Sequence, residues 1–128
     1  MKPQAPNKYH AKGSVCHEGH KHPSKREAVR CDELHLMKEA GALYNLTIQP
    51  KFLLAPAFVR DGQRYRATYY VGDFHYLTGE WGKAQAVCED VKSIDRKTGK
   101  PITTALFDLK WKEAIRLYPD VTFRIVEG

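Results

Sequence analysis

Apolar positions along this chain recur with two periods, and the switch between them marks the elements. Residues 69–77 and 84–92 are rich in aromatic and β-branched side chains, and Thr78, Gly79, Glu80, Trp81 and Gly82 separate them; this predicts a β-hairpin. Between 24 and 40 the period becomes helical. Ala28, Cys31, Leu34 and His35, then Lys38, form a mostly apolar stripe with Val29, Leu36 and Ala40 beside it. Ser24 followed by Glu27 reads as a capping box, and Gly41 as a stop. A second helix is expected after Thr103 or Thr104, with Phe107, Trp111, Ala114, Ile115 and Tyr118 on its face and Pro119-Asp120 ending it.

The remaining segments read as strands and turns. Residues 14–17 and 20–22 suit a short hairpin around Glu18-Gly19, ended by Pro23. Residues 46–54 suit one strand, which Pro56 interrupts or marks as an edge. Asp61-Gly62 is a strong turn signal between 58–60 and 63–66, and the returning strand is expected to run on through 69–77. Residues 93–100 are polar and read as a loop, and 121–126 as a last strand. The order ββ-α-β-ββ-β-α-β implies an α/β or α+β domain around one mixed sheet. At 128 residues the chain is long enough for one such domain, expected over 13–128, with 1–12 as a basic flexible arm.

Alternation assigns faces within the hairpin. Asp90 and Lys92 share one face of their strand, and Val87, Glu89 and Val91 take the other. Asp73 falls near the middle of the partner strand. Two carboxylates on neighbouring strands can grip one hard cation such as Mg²⁺ or Mn²⁺, and an ammonium beside them can orient water and offset developing negative charge. That chemistry suits phosphodiester hydrolysis.

Asp73 followed by Asp90-Val91-Lys92 resembles the PD-(D/E)xK nuclease signature. With Ser24-Lys25-Arg26-Glu27-Ala28, the 46–52 segment and Tyr70-Val71-Gly72-Asp73-Phe74, the order is similar to a bacteriophage-encoded domain-of-unknown-function family within that superfamily, whose core is like that of Holliday junction resolvases. The resemblance runs from about Lys8 to the C-terminus. It departs from the superfamily name in one place: Gly72, not proline, precedes Asp73. It implies a restriction-endonuclease-like core, a central mixed sheet flanked by two helices with an N-terminal hairpin.

The resemblance also implies roles. Asp73, Asp90 and the Val91 carbonyl would hold Mg²⁺ or Mn²⁺, Glu27 would assist from the first helix, and Lys92 would align the attacking water. Glu27 has a competing task, closing the capping box with Ser24. Glu89 and Gln49 stand in second rank: Glu89 as a surface charge or a partner for Arg or Lys, Gln49 as a polar residue near the water or as a hydrogen-bonded strand glutamine. The expected activity is a Mg²⁺-dependent endodeoxyribonuclease in phage DNA metabolism, structure-selective for branched or junction DNA. A homodimer would suit a junction with two cuts. The alternative is a catalytically silent nucleic-acid- or partner-binding protein on the same core.

Charge fits a polyanionic partner. The net charge is +6, and residues 1–30 hold seven Lys/Arg against two acids, or +5. Lys8, Lys12, Lys21, Lys25, Arg26, Arg66 and Lys110 are candidate phosphate contacts on branched or double-stranded DNA. No apolar run reaches membrane-spanning length and no signal-peptide pattern opens the chain, so no membrane partner is expected and the cytoplasm (of a host, for a phage protein) is the expected compartment.

Cysteine and histidine carry a separate possibility. Cys16, His20 and His22 in the first hairpin, with Cys31 on the next helix, offer a Zn²⁺ ligand set, although no standard finger spacing is present. The competing reading is a polar hairpin whose histidines touch phosphate or solvent.

Overall fold

A computed structural model describes residues 13–22, 24–80 and 82–128. The 1–12 arm, Pro23 and Trp81 lie outside the described residues, and Lys8 and Lys12 with them.

The described chain opens with strands β1 (Ser14–Val15) and β2 (Lys21–His22), paired antiparallel. Helix α1 (Lys25–Glu39) starts where its sequence says it should: the Ser24 hydroxyl accepts from the Glu27 N–H at 3.2 Å. Its buried positions are Glu27, Ala28, Cys31 and Leu34, a narrower face than the stripe predicts, because Val29, Leu36 and Lys38 are exposed.

Next come β3 (Tyr44–Ile48), β4 (Lys51–Ala55), β5 (Phe58–Arg60), β6 (Gln63–Tyr65), β7 (Thr68–Val71), β8 (Phe74–Thr78) and β9 (Gln85–Lys92). β5 and β6 form the hairpin expected around Asp61-Gly62, where both residues have positive φ (50° and 76°). Helix α2 (Ala105–Leu117) begins at Thr104, whose hydroxyl accepts from the Phe107 N–H at 3.1 Å, and β10 (Val121–Glu127) follows.

The central sheet has the order β10-β9-β8-β3. β8 is antiparallel to both β3 and β9, whereas β10 runs parallel to β9, reached through α2 as a crossover must be. The sheet is therefore mixed, with separate two-stranded pairs β1-β2, β4-β7 and β5-β6 around it.

Two expected strands are each broken in two. The 46–54 segment divides into β3 and β4 at Gln49-Pro50, and the 69–77 segment divides into β7 and β8 at Gly72-Asp73. Gln49 has φ 52°, and Pro50 has no N–H to offer a ladder. The two breaks face each other: the Gln49 N–H donates to the Asp73 carbonyl at 2.9 Å, and the Gly72 N–H donates to the Pro50 carbonyl at 3.0 Å. One long two-stranded ladder thus bends at its middle, with β3-β8 in the central sheet and β4-β7 leaving it.

β9 is buried on both faces, so its alternation serves two cores. Val87 and Val91 join Ala28, Cys31, Leu34, Leu43, Phe74 and Tyr76 beneath α1. Cys88 joins Phe52, Tyr70 and Ala114 on the α2 side, with Phe107, Trp111 and Phe123 packed against them. Ile115, expected on the inner face of α2, is exposed. Among the described residues, no helix is long and apolar enough to cross a membrane.

Candidate active site

The bend at Gly72-Asp73 determines where Asp73 sits. It lies between β7 and β8, not inside a strand, because the chain changes sheets there. Its N–H donates to the Glu89 carbonyl at 3.0 Å, and its Oδ2 accepts from the Val91 N–H at 2.6 Å. Asp73 therefore caps the end of β9 beside Asp90. Gly72 is required for this approach: a Cβ there would lie 2.6 Å from Cys88 Sγ. A proline at this position would also lose the bond from the Gly72 N–H to the Pro50 carbonyl.

Asp90 is buried, and both its oxygens are engaged. Oδ2 accepts from the Tyr70 hydroxyl at 2.7 Å, and Oδ1 lies 3.1 Å from Lys92 Nζ. Lys92 Nζ also sits 4.2 Å from the centre of the Phe107 ring, so α2 helps aim the ammonium. Glu27 arrives from α1. Its side chain is buried and lies close enough to Asp73 and Asp90 for the charges to act on one another, and Oε2 has no hydrogen-bond partner. Ser24 caps the helix through the Glu27 backbone, leaving the Glu27 side chain turned to the other acids.

Three carboxyl groups thus crowd one end of the central sheet. Burial, then the Asp90 and Glu27 charges, push Asp73 up to about 8, against the Val91 N–H and the Lys92 charge. Burial and the Asp90 charge push Glu27 up to about 6. Burial and Asp90 also raise the Tyr70 phenol far above its usual range, so it remains a protonated donor. Acids held at such cost in a polar cluster mark a candidate site for a cation.

Glu89 does not belong to this cluster, nor to the surface. It is fully buried on the opposite face of β9 and paired at two points with Arg30 of α1, Nε to Oε1 at 2.8 Å and the NH2 nitrogen to Oε2 at 2.8 Å. The Tyr76 hydroxyl also donates to it, and Arg124 donates to Tyr76 at 3.1 Å. Burial alone would raise the Glu89 pKa, but the bonds from Arg30 and Tyr76 prevail and hold it low. Its role is to join α1 to β9. Gln49 is exposed, lies between strands rather than in one, and meets Asp73 only through its backbone.

Arg30, Tyr70 and Phe107 are the site's supports that sequence reasoning missed. Arg30 follows Glu27 by three residues, so helical spacing puts both toward β9. Nothing local in the sequence marks Tyr70 or Phe107 apart from other core aromatics.

The candidate phosphate contacts fall on separate elements. Lys25 and Arg26 flank the start of α1 and line a groove with Arg30, Glu127 and Gly128. Arg66 lies with Arg64 beside β6, Lys21 is exposed on β2, and Lys110 is on α2. Between the first hairpin and α1, one ligand atom each from Cys16, His20, His22 and Cys31 lies within 4.8 Å of the other three. This Cys/His group could hold a metal ion.

A family model described as "Protein of unknown function (DUF1064)" matches residues 6–125. Neither the curated proteins nor the solved structures contain a match.

Proposed function

The chain belongs to the family described as Protein of unknown function (DUF1064), and we propose that it is a metal-dependent DNA endonuclease on a restriction-endonuclease-like, PD-(D/E)xK core. The observation that carries this reading is the meeting of Glu27, Asp73 and Asp90 from three distant segments, with Lys92 Nζ 3.1 Å from Asp90 Oδ1. A structural acid cluster would be expected to satisfy its buried oxygens, yet Glu27 Oε2 has no partner.

The donor set fits a hard divalent cation, since every side-chain donor is a carboxylate oxygen. Asp73, Asp90 and Glu27 would hold it, with the Val91 carbonyl as the backbone donor expected from the resemblance. When bound, Mg²⁺ or Mn²⁺ would polarise the phosphate and lower the pKa of water. The protein's own groups do the rest. Lys92, anchored by Asp90 and the Phe107 face, places a positive charge where a pentavalent phosphorus would accumulate negative charge. Tyr70 fixes the Asp90 carboxylate, and the Val91 N–H fixes that of Asp73, so neither must reorganise during the reaction. Lys25 and Arg26, next to Glu27 in the chain, are suited to the flanking phosphates. The substrate class proposed is branched DNA recognised by shape, cut by a homodimer, as the resemblance implies.

The test is cleavage of an end-labelled four-way junction with Mg²⁺, against Asp90→Ala and Lys92→Ala. Cutting by wild type and not by the variants supports the reading. Equal cutting by all three removes the site assignment, and junction binding without cutting under Mg²⁺ or Mn²⁺ makes the protein a binding module.

A further inference from the structure

The β1-β2 hairpin has almost nothing apolar with which to hold itself. Each strand is two residues long, and Val15 is exposed. Two-stranded hairpins of this size are not stable alone. Its buried side chains are Cys16 and His22, both polar or ionisable, and they face Cys31 on α1.

The atoms of this contact are spaced as ligands. Cys16 Sγ lies 3.3 Å from Cys31 Sγ, and His20 Nδ1 lies 3.5 Å from each sulfur. A tetrahedral ion with bonds of about 2.3 Å to sulfur and about 2.0–2.1 Å to nitrogen separates sulfur from nitrogen by about 3.5–3.6 Å, as here, and two sulfurs by about 3.8 Å, so the thiols would part by about half an ångström to admit it. His22 completes the set. Its ring is buried, and neither Nδ1 nor Nε2 has a hydrogen-bond partner. A neutral imidazole buried this way wastes a donor and an acceptor.

We propose that Cys16, His20, His22 and Cys31 bind one structural Zn²⁺, which ties the hairpin to α1. Two thiolates neutralise the ion, so the closed site carries no net charge into the core. All four ligands belong to the protein, which marks a structural rather than a catalytic centre. A Cys16–Cys31 disulfide is the main competitor for the sulfurs, but it leaves both His22 nitrogens unpartnered. His35 is not a fifth ligand, because its Nδ1 is engaged at 2.8 Å with the Cys31 carbonyl.

The tie reaches toward the acid cluster. His22 Nδ1 lies 4.0 Å from Glu27 Oε2, beyond hydrogen-bond distance, so the two clusters adjoin. The zinc proposal nevertheless stands on its own atoms and does not depend on the nuclease reading.

The experiment uses the full chain, purified under reducing conditions without a histidine tag. Elemental analysis is expected to find about one zinc per chain. Replacement by Co²⁺ is expected to give thiolate charge-transfer absorption and the visible bands of a tetrahedral site. Cys31→Ser should lose both, while His35→Ala, Cys88→Ser and Asp90→Ala keep them. Because the wild-type Co²⁺ spectrum needs no variant to fold, it decides the matter by itself. Reduced wild type that takes up neither Zn²⁺ nor Co²⁺ overturns the proposal, as does a Cys16–Cys31 disulfide in the protein isolated without reductant.

Discussion

Arg30 on α1 and Glu89 on β9 form a two-point ion pair, with both N···O distances at 2.8 Å, inside the protein. Glu27 lies one helical turn before Arg30, and Asp90 directly follows Glu89. The pair therefore sets the distance between the two elements that supply the acid cluster. Removing one partner leaves a buried charge unmatched. Arg30→Met is expected to destabilise the protein by about 3–5 kcal/mol in urea or thermal unfolding. If Arg30→Met unfolds like wild type, the pair does not hold helix to sheet.

Asp73→Asn tests whether the acids are held together for function. The amide keeps an oxygen acceptor for the Val91 N–H and removes the proton uptake that folding demands of Asp73 at neutral pH. Metal-free Asp73→Asn should melt above wild type at neutral pH, while junction cleavage falls by about 100-fold or more. A metal-free variant that melts below wild type would show that the cluster carries no net repulsion.

The same cluster gives a pH dependence with a defined sign. Asp73 and Glu27 have folded pKa values raised to about 8 and about 6, above the ordinary carboxyl values of 3.8 and 4.5. The native state therefore holds more protons than the unfolded chain between those limits, and the contribution of these groups to stability declines as pH rises from about 4 to about 8. On the proposed reading, Mg²⁺ would compete with those protons. The expected result is a metal-free melting temperature that falls over this range and a Mg²⁺-induced rise that grows with pH. A Mg²⁺ effect independent of pH would place the cation elsewhere.

Gly72 is tested by its neighbour. Gly72→Ala puts a methyl group 2.6 Å from Cys88 Sγ and is expected to cost about 1–3 kcal/mol. Shortening the obstacle with Cys88→Ala should recover part of that loss in the double variant. Equal losses with and without Cys88 would mean that the strain lies in the backbone.

Local rules reached far into this fold. Ser24 and Thr104 cap the helices, Asp61-Gly62 turns a hairpin, and the period of two puts Asp90 and Glu89 on opposite faces of β9. What they missed is non-local. Pro50 and Gly72-Asp73 are local breaks inside the 46–54 and 69–77 runs, but only the pairing of the two segments makes the breaks oppose each other across the bend. Glu89 reads as a surface charge or as a partner for an Arg or Lys, and only the fold shows that the partner is Arg30, 59 positions away. Lys92 looks like a strand-end lysine, and its place depends on Phe107 from a helix formed later in the chain.

The two faces of β9 also separate what can be altered independently. Val87, Glu89 and Val91 anchor the helix that bears Glu27, while Cys88, Asp90 and Lys92 face the other core. On the proposed reading, a substitution at Lys92 would alter the chemistry while leaving the Arg30–Glu89 anchor intact. Transplanting the acids into another sheet would fail unless the odd-numbered anchors went with them.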